Sequence, residues 1–566
     1  MSLPEVPEIP SFDRRFFDGG ERFTRIGDGS VGGKGAGLLR IHDILLSRLD
    51  PEAFPDFEVS IPTLTVVATG VFDAFLDRND LRGIAYSDEP DETIARAFQR
   101  ASLPAEILGD LRALVEQVRQ PLAVRSSSLL EDALYRPFAG VYATKMIPNH
   151  QLDPDSRFRR LAEAVRFVYA STFFRGPKSY IRTTDRSIRD EKMAVVIQEV
   201  VGRRRGDRFY PDLSGVARSY NFYPSGNARP EDGVASLALG LGKTIVDGGL
   251  VWTYSPAFPK ASPPFGSVAD LLEQTQARFW AVNMGKPPAH DPTRETEYLV
   301  EQGLSEAEED GSLRLVASSY DAGSDRLQPG LHGSGPRAVN FAPILVHGAL
   351  PLNGLVRRLM DDCEAALGDK VEIEFAVTLP GSGGGRARFG FLQVRPLVVS
   401  HEFVEVSASD LRTEDVVLSS DDVMGNGVVR GLRDVVYVRP DRFEGRFSRR
   451  IAGEIAAIND ALLDAARPYL LVGFGRWGSS DPSLGIPVGW GQICGARAIV
   501  EATLPRMNVE LSQGSHFFHN ISSFEVSYFC VRHDRDHRLD WAWLERQEAE
   551  TETEFVRHVR PEGPLA

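Results

Sequence analysis

The chain has 566 residues, 42% of them hydrophobic, and a formal net charge of −15 at pH 7. That length suggests three to five domains or subdomains at about 100–200 residues each, and the acidic balance argues against a general nucleic-acid or anionic-membrane binder. Cys363, Cys494 and Cys530 are too few and too widely spaced for a disulfide framework or a Cys-x-x-Cys metal site. No apolar run approaches the roughly 20 residues of a membrane span. The opening MSLPEVPEIPSFDRRFF lacks the basic start and apolar core of a signal peptide. The expectation is a soluble, cytoplasmic protein.

In chain order, Gly32-Gly33-Lys34-Gly35 precedes a helix over 36–49, where Leu38, Ile41, Leu45 and Leu49 follow near-helical spacing. Residues 61–69 and 121–126 read as strands, with 139–147 returning beside the second. An amphipathic helix covers 157–175 on Leu161, Val165, Val168 and Thr172. Residues 193–201 form an apolar strand whose expected partner is 214–222, across the solvated loop Arg203-Arg204-Arg205. Residues 234–250 are punctuated by glycine, 267–283 look helical, and 321–338 read as a long loop or subdomain connection. Residues 371–377 and 389–394 make a hairpin around 381–385. A boundary falls near 399–412. Beyond it come a helix at 448–466, strands at 469–472 and 498–502, and a strand-like end, ETEFVRHVRPEGPLA, suited to a sheet edge.

Two stretches carry the chemistry. PLAVRSSSLLEDALYRPFAG (121–140) puts Arg125 directly after an apolar run, and VEIEFAV with FGFLQVRP puts Glu372, Glu374, Gln393 and Arg395 on two neighbouring strands. Arginine pairs with phosphate oxygens through a planar fork, and carboxylate and amide oxygens are the hard ligands that Mg2+ prefers. Cations and carboxylates on rigid strands therefore suit a nucleoside triphosphate and its magnesium. Each piece has a bland alternative. Gly33-Lys34-Gly35 serves as a structural turn as readily as a phosphate contact, and no GxxxxGK[ST] loop is present. Arg125 can instead pair with a carboxylate such as Asp132, and Glu-x-Glu on one strand face also describes a solvent-facing strand.

Taken together, GGKGAGL, IPTLTVVAT, AVRSSSLLEDALYRPFAG, MAVVIQEVVG, SGVARSYNFYP, ALGLGKTIVDGG, VEIEFAV and FLQVRP occur in one order over about 370 residues. This series resembles the nucleotide-binding domain of the pyruvate phosphate dikinase and phosphoenolpyruvate synthase family over roughly 20–400. The resemblance implies an α/β (α+β), ATP-grasp-like fold that clamps ATP and Mg2+ between two subdomains. It implies an N-terminal arm at 1–20, subdomains at 21–230 and 231–400, a linker at 401–412, and a separate α/β domain at 413–566. It makes Lys34, Arg125 and Arg395 the phosphate cations and catalytic groups. Glu374 and Gln393 become the magnesium ligands, with Glu372 close to the nucleotide. Gly240, Gly242 and Gly248 fall in its glycine-rich loop, where backbone approaches phosphate. Glu372 stands where the family usually has Asp, and AVRSSSL replaces AVRSSAT.

The second half departs from that family. Neither a TGG-x-T-[SC]-H phosphohistidine segment nor room for a (β/α)8 barrel of about 250 residues follows position 400. In their place stand FGRWGSSDPSLGIPVGWGQICGA (474–496) and SQGSHFFHNISSF (512–524). Arg476–Asp481 is a candidate acceptor loop. His516, after Gly514-Ser515, is a candidate phosphate carrier. His516-x-x-His519 lacks the third ligand a metal needs, and Phe517 and Phe518 favour histidines in an aromatic core. The functional expectation is an ATP-dependent phosphotransferase of the dikinase type acting on a small-molecule acceptor, alone, as a homo-oligomer or with a partner protein. The alternatives are an ATP-dependent ligase working through an acyl phosphate, and a non-catalytic ATP sensor.

Overall fold

The structure is a computed structural model. It describes residues 9–565 apart from 16–22, 130–139, 183–185, 225, 262–266, 382–383, 398, 400–405, 408–415, 426, 480, 506–520, 522–523 and 525. His516, His519 and Asp132 lie outside the described residues.

The first half is built on two sheets. The first has five strands, in the order Phe23–Ile26, Leu64–Val67, Met193–Glu199, Leu122–Ser128, Thr144–Ile147. Its strands are apolar on both faces because both faces are covered. Alternation divides them: Val195 and Ile197 enter a core shared with Phe72, Phe98, Leu161 and Val165, whereas Ala194 and Val196 pack with Leu38, Ile41 and the second sheet. That second sheet has six strands, in the order Trp252–Tyr254, Val234–Ala238, Leu213–Arg218, Val371–Thr378, Ala387–Pro396, Phe57–Ser60. Helix Gly32–Arg48 lies between the two sheets, packed on strands of both.

The C-terminal unit is a seven-stranded sheet. Four of its strands, Asp434–Val438, Tyr469–Phe474, Ala496–Ala502 and Ser527–Val531, run parallel. Helix Ser448–Asp464 connects the first two, presenting Ile451, Ile455 and Leu462 to the core. Both halves are therefore α/β. No helix among the described residues is long and apolar enough to cross a membrane.

Several expectations are corrected. The partner of the Met193–Glu199 strand is not 214–222: it pairs with Leu64–Val67 and Leu122–Ser128. Leu213–Arg218 belongs to the second sheet, between Val234–Ala238 and Val371–Thr378. The hairpin Arg203–Arg205 with Arg208–Tyr210 joins Arg278–Asn283 and Leu299–Gly303 in a separate four-stranded sheet and carries the chain across. Residues 267–283 are helical only over Val268–Glu273; the aromatic and β-branched RFWAVN then forms strand Arg278–Asn283. The expected loop at 321–338 includes most of a three-stranded sheet, Ser318–Asp321, Arg326–Pro329 and Arg337–Ala338. At the chain end Val556–Val559 is paired on both sides, and Ala549–Glu552 takes the edge. Helix Pro154–Ser171 starts earlier than its apolar pattern, because Asp153 caps it by accepting from the Asp155 and Ser156 amides.

The centre of the second sheet tolerates little change. An added Cβ on Gly215 would lie 2.1 Å from the ring of Phe375, itself stacked on Phe389 at 4.9 Å. Gly215→Ala is therefore expected to destabilise the protein by about 1–3 kcal/mol, seen as a lower thermal midpoint. An unchanged midpoint would mean that the stack yields freely.

Candidate functional site

The Gly-Lys-Gly turn and the Arg-Ser-Ser strand, 92 residues apart in sequence, are stitched together. Gly32 has φ +72°, and a Cβ there would fall 1.8 Å from the Ser127 carbonyl oxygen, so only glycine fits. Ser127 Oγ accepts from the Gly35 amide at 3.0 Å and donates to the Val31 carbonyl at 2.7 Å. Lys34 Nζ donates to the Ser126 carbonyl at 2.9 Å. The start of the helix is thereby fixed beside Arg125, and Gly37 lets it approach the Val394 carbonyl on the second sheet, 3.3 Å from where a Cβ would lie.

On the second sheet, period two puts Glu372 and Glu374 on one face. Register places Glu372 opposite Arg395 and Glu374 opposite Gln393. On the other side of the same strand Arg218 stands opposite Glu372. The result is a row of alternating charge: Arg218 Nε donates to Glu372 Oε2 at 2.6 Å, Arg395 Nε lies 3.2 Å from Glu372 Oε1, and Arg395 Nη2 donates to Glu374 Oε1. Arg125 reaches this row from the first sheet. Its Nη2 donates to Gln393 Oε1 at 2.7 Å and lies 3.6 Å from Glu374 Oε2, while Nη1 donates to the Leu392 carbonyl at 3.1 Å and to Gln198 Oε1 at 3.3 Å.

The solvent-facing alternative for the two glutamates does not hold. Glu372 is fully buried and the Glu374 side chain is 13% exposed. The carboxylate beside Arg125 among the described residues is Glu374. Lys34, Arg125, Glu372, Glu374, Gln393 and Arg395 thus come from four elements to one place between the two sheets. Glu374 Oε2 and Gln393 Oε1 converge on one point, held here by the cationic guanidinium of Arg125. Such a pair of hard oxygens around a cation fits Mg2+, with phosphate oxygens and water to complete its shell.

Gly240 and Gly242 lie apart from that row, at the far end of the Leu213–Arg218 strand, where Ser214 Oγ donates to the Gly240 carbonyl at 2.7 Å. Gly240 has φ +80°, and its Cβ would lie 2.7 Å from the Trp280 carbonyl oxygen, so the loop is pinned against strand Arg278–Asn283. Lys145, on the strand beside Arg125, is a different case. Burial pushes its ammonium pKa down, opposed by Glu297 at 2.7 Å, and the Asp291 and Pro292 carbonyls take further donors. It is a cation spent on the fold.

Two residues escaped the sequence reading. Arg218 sits in SGVARSYN, where alternation marks its face but nothing marks its partner. Gln198 is buried beside Arg125, and its Nε2 has no acceptor among the described residues, which suits a ligand oxygen. Among its described residues the C-terminal unit also holds two His-carboxylate groups, Asp421–Asp422–His537 and Asp434–Glu550–His558. Arg467 pairs with both Asp434 and Glu550, so the second group is an ion-pair network.

The family model described as the pyruvate phosphate dikinase AMP/ATP-binding domain matches residues 28–415. The chain belongs to this family, and that region is an ATP-binding module of phosphotransferase type. No curated protein matches the chain.

The charge row makes a test of its own. Arg218→Met leaves buried Glu372 with Arg395 alone, at an expected cost of about 3 kcal/mol in urea unfolding. Pairing it with Glu372→Gln should recover much of that loss, whereas simple additivity of the two costs would show that the row is not coupled.

Proposed function

We propose that the protein is an ATP-dependent phosphotransferase of the dikinase type, binding Mg–ATP between the two sheets of its first half in an ATP-grasp-like manner. The observation that carries this reading is the convergence of Arg125, Glu374, Gln393 and Arg395, spread over 271 positions from 125 to 395, into one cluster of ion pairs and hydrogen bonds, with Lys34 held on the Ser126 carbonyl next to Arg125. In this reading Lys34, Arg125 and Arg395 offset charge on the transferring phosphates, which is where most catalysis of phosphoryl transfer originates. Glu374 and Gln393 would hold Mg2+, which would supply charge neutralisation at the phosphates. Glu372, fully enclosed by Arg218 and Arg395, positions Arg395. Gly240 and Gly242, at the Ser214 end of the Leu213–Arg218 strand, would turn backbone amides toward the outer phosphates, and Gly248, whose own amide donates to the Ile245 carbonyl, closes the turn behind them.

The acceptor is a small molecule served by the C-terminal unit, with His516 as a candidate carrier. That unit is one seven-stranded sheet with short accessory pairs among the described residues, so pyruvate–phosphoenolpyruvate interconversion on a (β/α)8 barrel is not part of the proposal. The three thiols are free and buried, consistent with the cytoplasm as the compartment.

Product analysis tests the class. Labelled ATP incubated with the protein and a metabolite pool should yield AMP and a labelled acceptor. ADP as the sole nucleotide product would favour a kinase or an acyl-phosphate ligase, and no turnover would favour a sensor. Arg125→Ala and Glu374→Gln should each lower turnover about 100-fold or more, for a loss of about 2.7–4 kcal/mol in the barrier, with the far-ultraviolet spectrum unchanged. Wild-type turnover in both would overturn the assignments. If His516 carries phosphate, an acid-labile label should appear on the protein and vanish in His516→Asn.

A further inference from the structure

The C-terminal unit touches the glycine-rich loop. Strand Tyr469–Phe474 ends in Gly475, at φ +68°, and the chain then enters the short strand Arg476–Trp477, paired with Gly485–Ile486. Alternation sends the two side chains opposite ways. Trp477, 1% exposed, pegs the turn to the sheet by donating its indole N–H to the Val500 carbonyl at 3.0 Å. Arg476 leaves the sheet and reaches the other half of the protein, its Nη1 lying 3.3 Å from the Gly248 carbonyl oxygen and 3.4 Å from that of Gly249. Gly248 has φ +68°, and a Cβ on it would lie 3.7 Å from Ser479 Cα. This contact sits at the carboxyl ends of the parallel strands, the edge where open α/β sheets place their working loops.

The docking behind it is close. A Cβ on Gly491 would fall 2.7 Å from Gly176 Cα, Arg175 pairs with Asp460, Tyr180 packs edge-on against Phe524 at 5.2 Å, and one apolar cluster runs from the first sheet into the C-terminal sheet. Arg476 is therefore held by a rigid turn on a firmly seated unit. Its guanidinium takes two successive carbonyls at the end of the loop, where the Gly248 and Gly249 amides fold back onto the Ile245 and Thr244 carbonyls, so the closed turn that ends the Gly240–Gly242 segment is seated from the C-terminal unit.

We propose that Arg476 is a positioning residue for phosphate binding: acting through the Gly248–Gly249 turn, it sets the glycine-rich loop from the C-terminal unit. This rests on the reading of that loop as a phosphate contact. Loss of Arg476 then weakens ligands with terminal phosphates and spares those without.

The test is calorimetry on the full chain with Mg–ATP and with AMP, for wild type, Arg476→Met and Arg476→Lys. Arg476→Met should bind Mg–ATP at least fivefold more weakly and AMP within twofold of wild type, and Arg476→Lys, which retains a donor for the carbonyls, should recover most of the loss. Gly248→Ala, which strains the same turn while leaving the C-terminal unit intact, should reproduce the split. Wild-type Mg–ATP affinity in Arg476→Met, or an equal loss for both ligands, would overturn the inference and leave the nucleotide site standing. Failure of the wild type to bind Mg–ATP would remove the nucleotide reading and this inference with it.

Discussion

One guanidinium joins the two sheets on which the site depends. Arg125 stands on the first sheet and donates to Gln393 and to the Leu392 carbonyl on the second. Lysine, a point charge on a flexible stem, cannot span a side-chain amide, a backbone carbonyl and a carboxylate with one planar fork. The neighbouring serines fix the helix that carries Lys34, and the facing strand carries the carboxylates, so the position of each charged group is referred to this bridge. In the proposed reading, a triphosphate entering the cleft competes for the same fork. Nucleotide binding and the relation between the sheets are therefore one equilibrium in this account, the general condition for a ligand to shift a conformation.

The sequence is legible where local chemistry is specific. The GGKG turn, the RSSS strand and the Glu-x-Glu/Gln-x-Arg hairpin are legible as a set: each alone has a bland structural use, but they stand in one order on strands and turns that suit phosphate and a hard cation. The hairpin 371–377 with 389–394 follows from one short loop between two apolar runs. What escaped is what depends on distant pairing. Leu213–Arg218 looked like the neighbour of Met193–Glu199 because they are close in sequence, but the Arg203–Tyr210 hairpin diverts the chain into the second sheet. Arg218 was missed for the same reason: its role exists only once its strand lies beside Glu372. RFWAVN follows closely on the short helix Val268–Glu273, so a helical pattern read from that helix runs on over the strand. Glu-x-Glu fixes a face, but whether that face is wet or enclosed is decided by what the chain lays over it.

The lengthened arm at position 372 has a physical counterpart in this fold. Glu372 is clasped between arginines on both neighbouring strands. Two cations across one carboxylate make a buried charge tolerable, and Glu372 in turn holds Arg395 toward Glu374. The C-terminal half supplies a different kind of element: a mixed sheet whose parallel centre sends a loop to the glycine-rich turn.

The account is tested most directly by the thermal midpoint of the full chain with adenosine, AMP, ADP and ATP, each with Mg2+ at equal concentration. The cluster of Lys34, Arg125 and Arg395 predicts stabilisation that grows with phosphate number and is largest for Mg–ATP, about 2.7 kcal/mol at 100 times its dissociation constant. No shift with Mg–ATP, or a shift no larger than that given by adenosine, would contradict it.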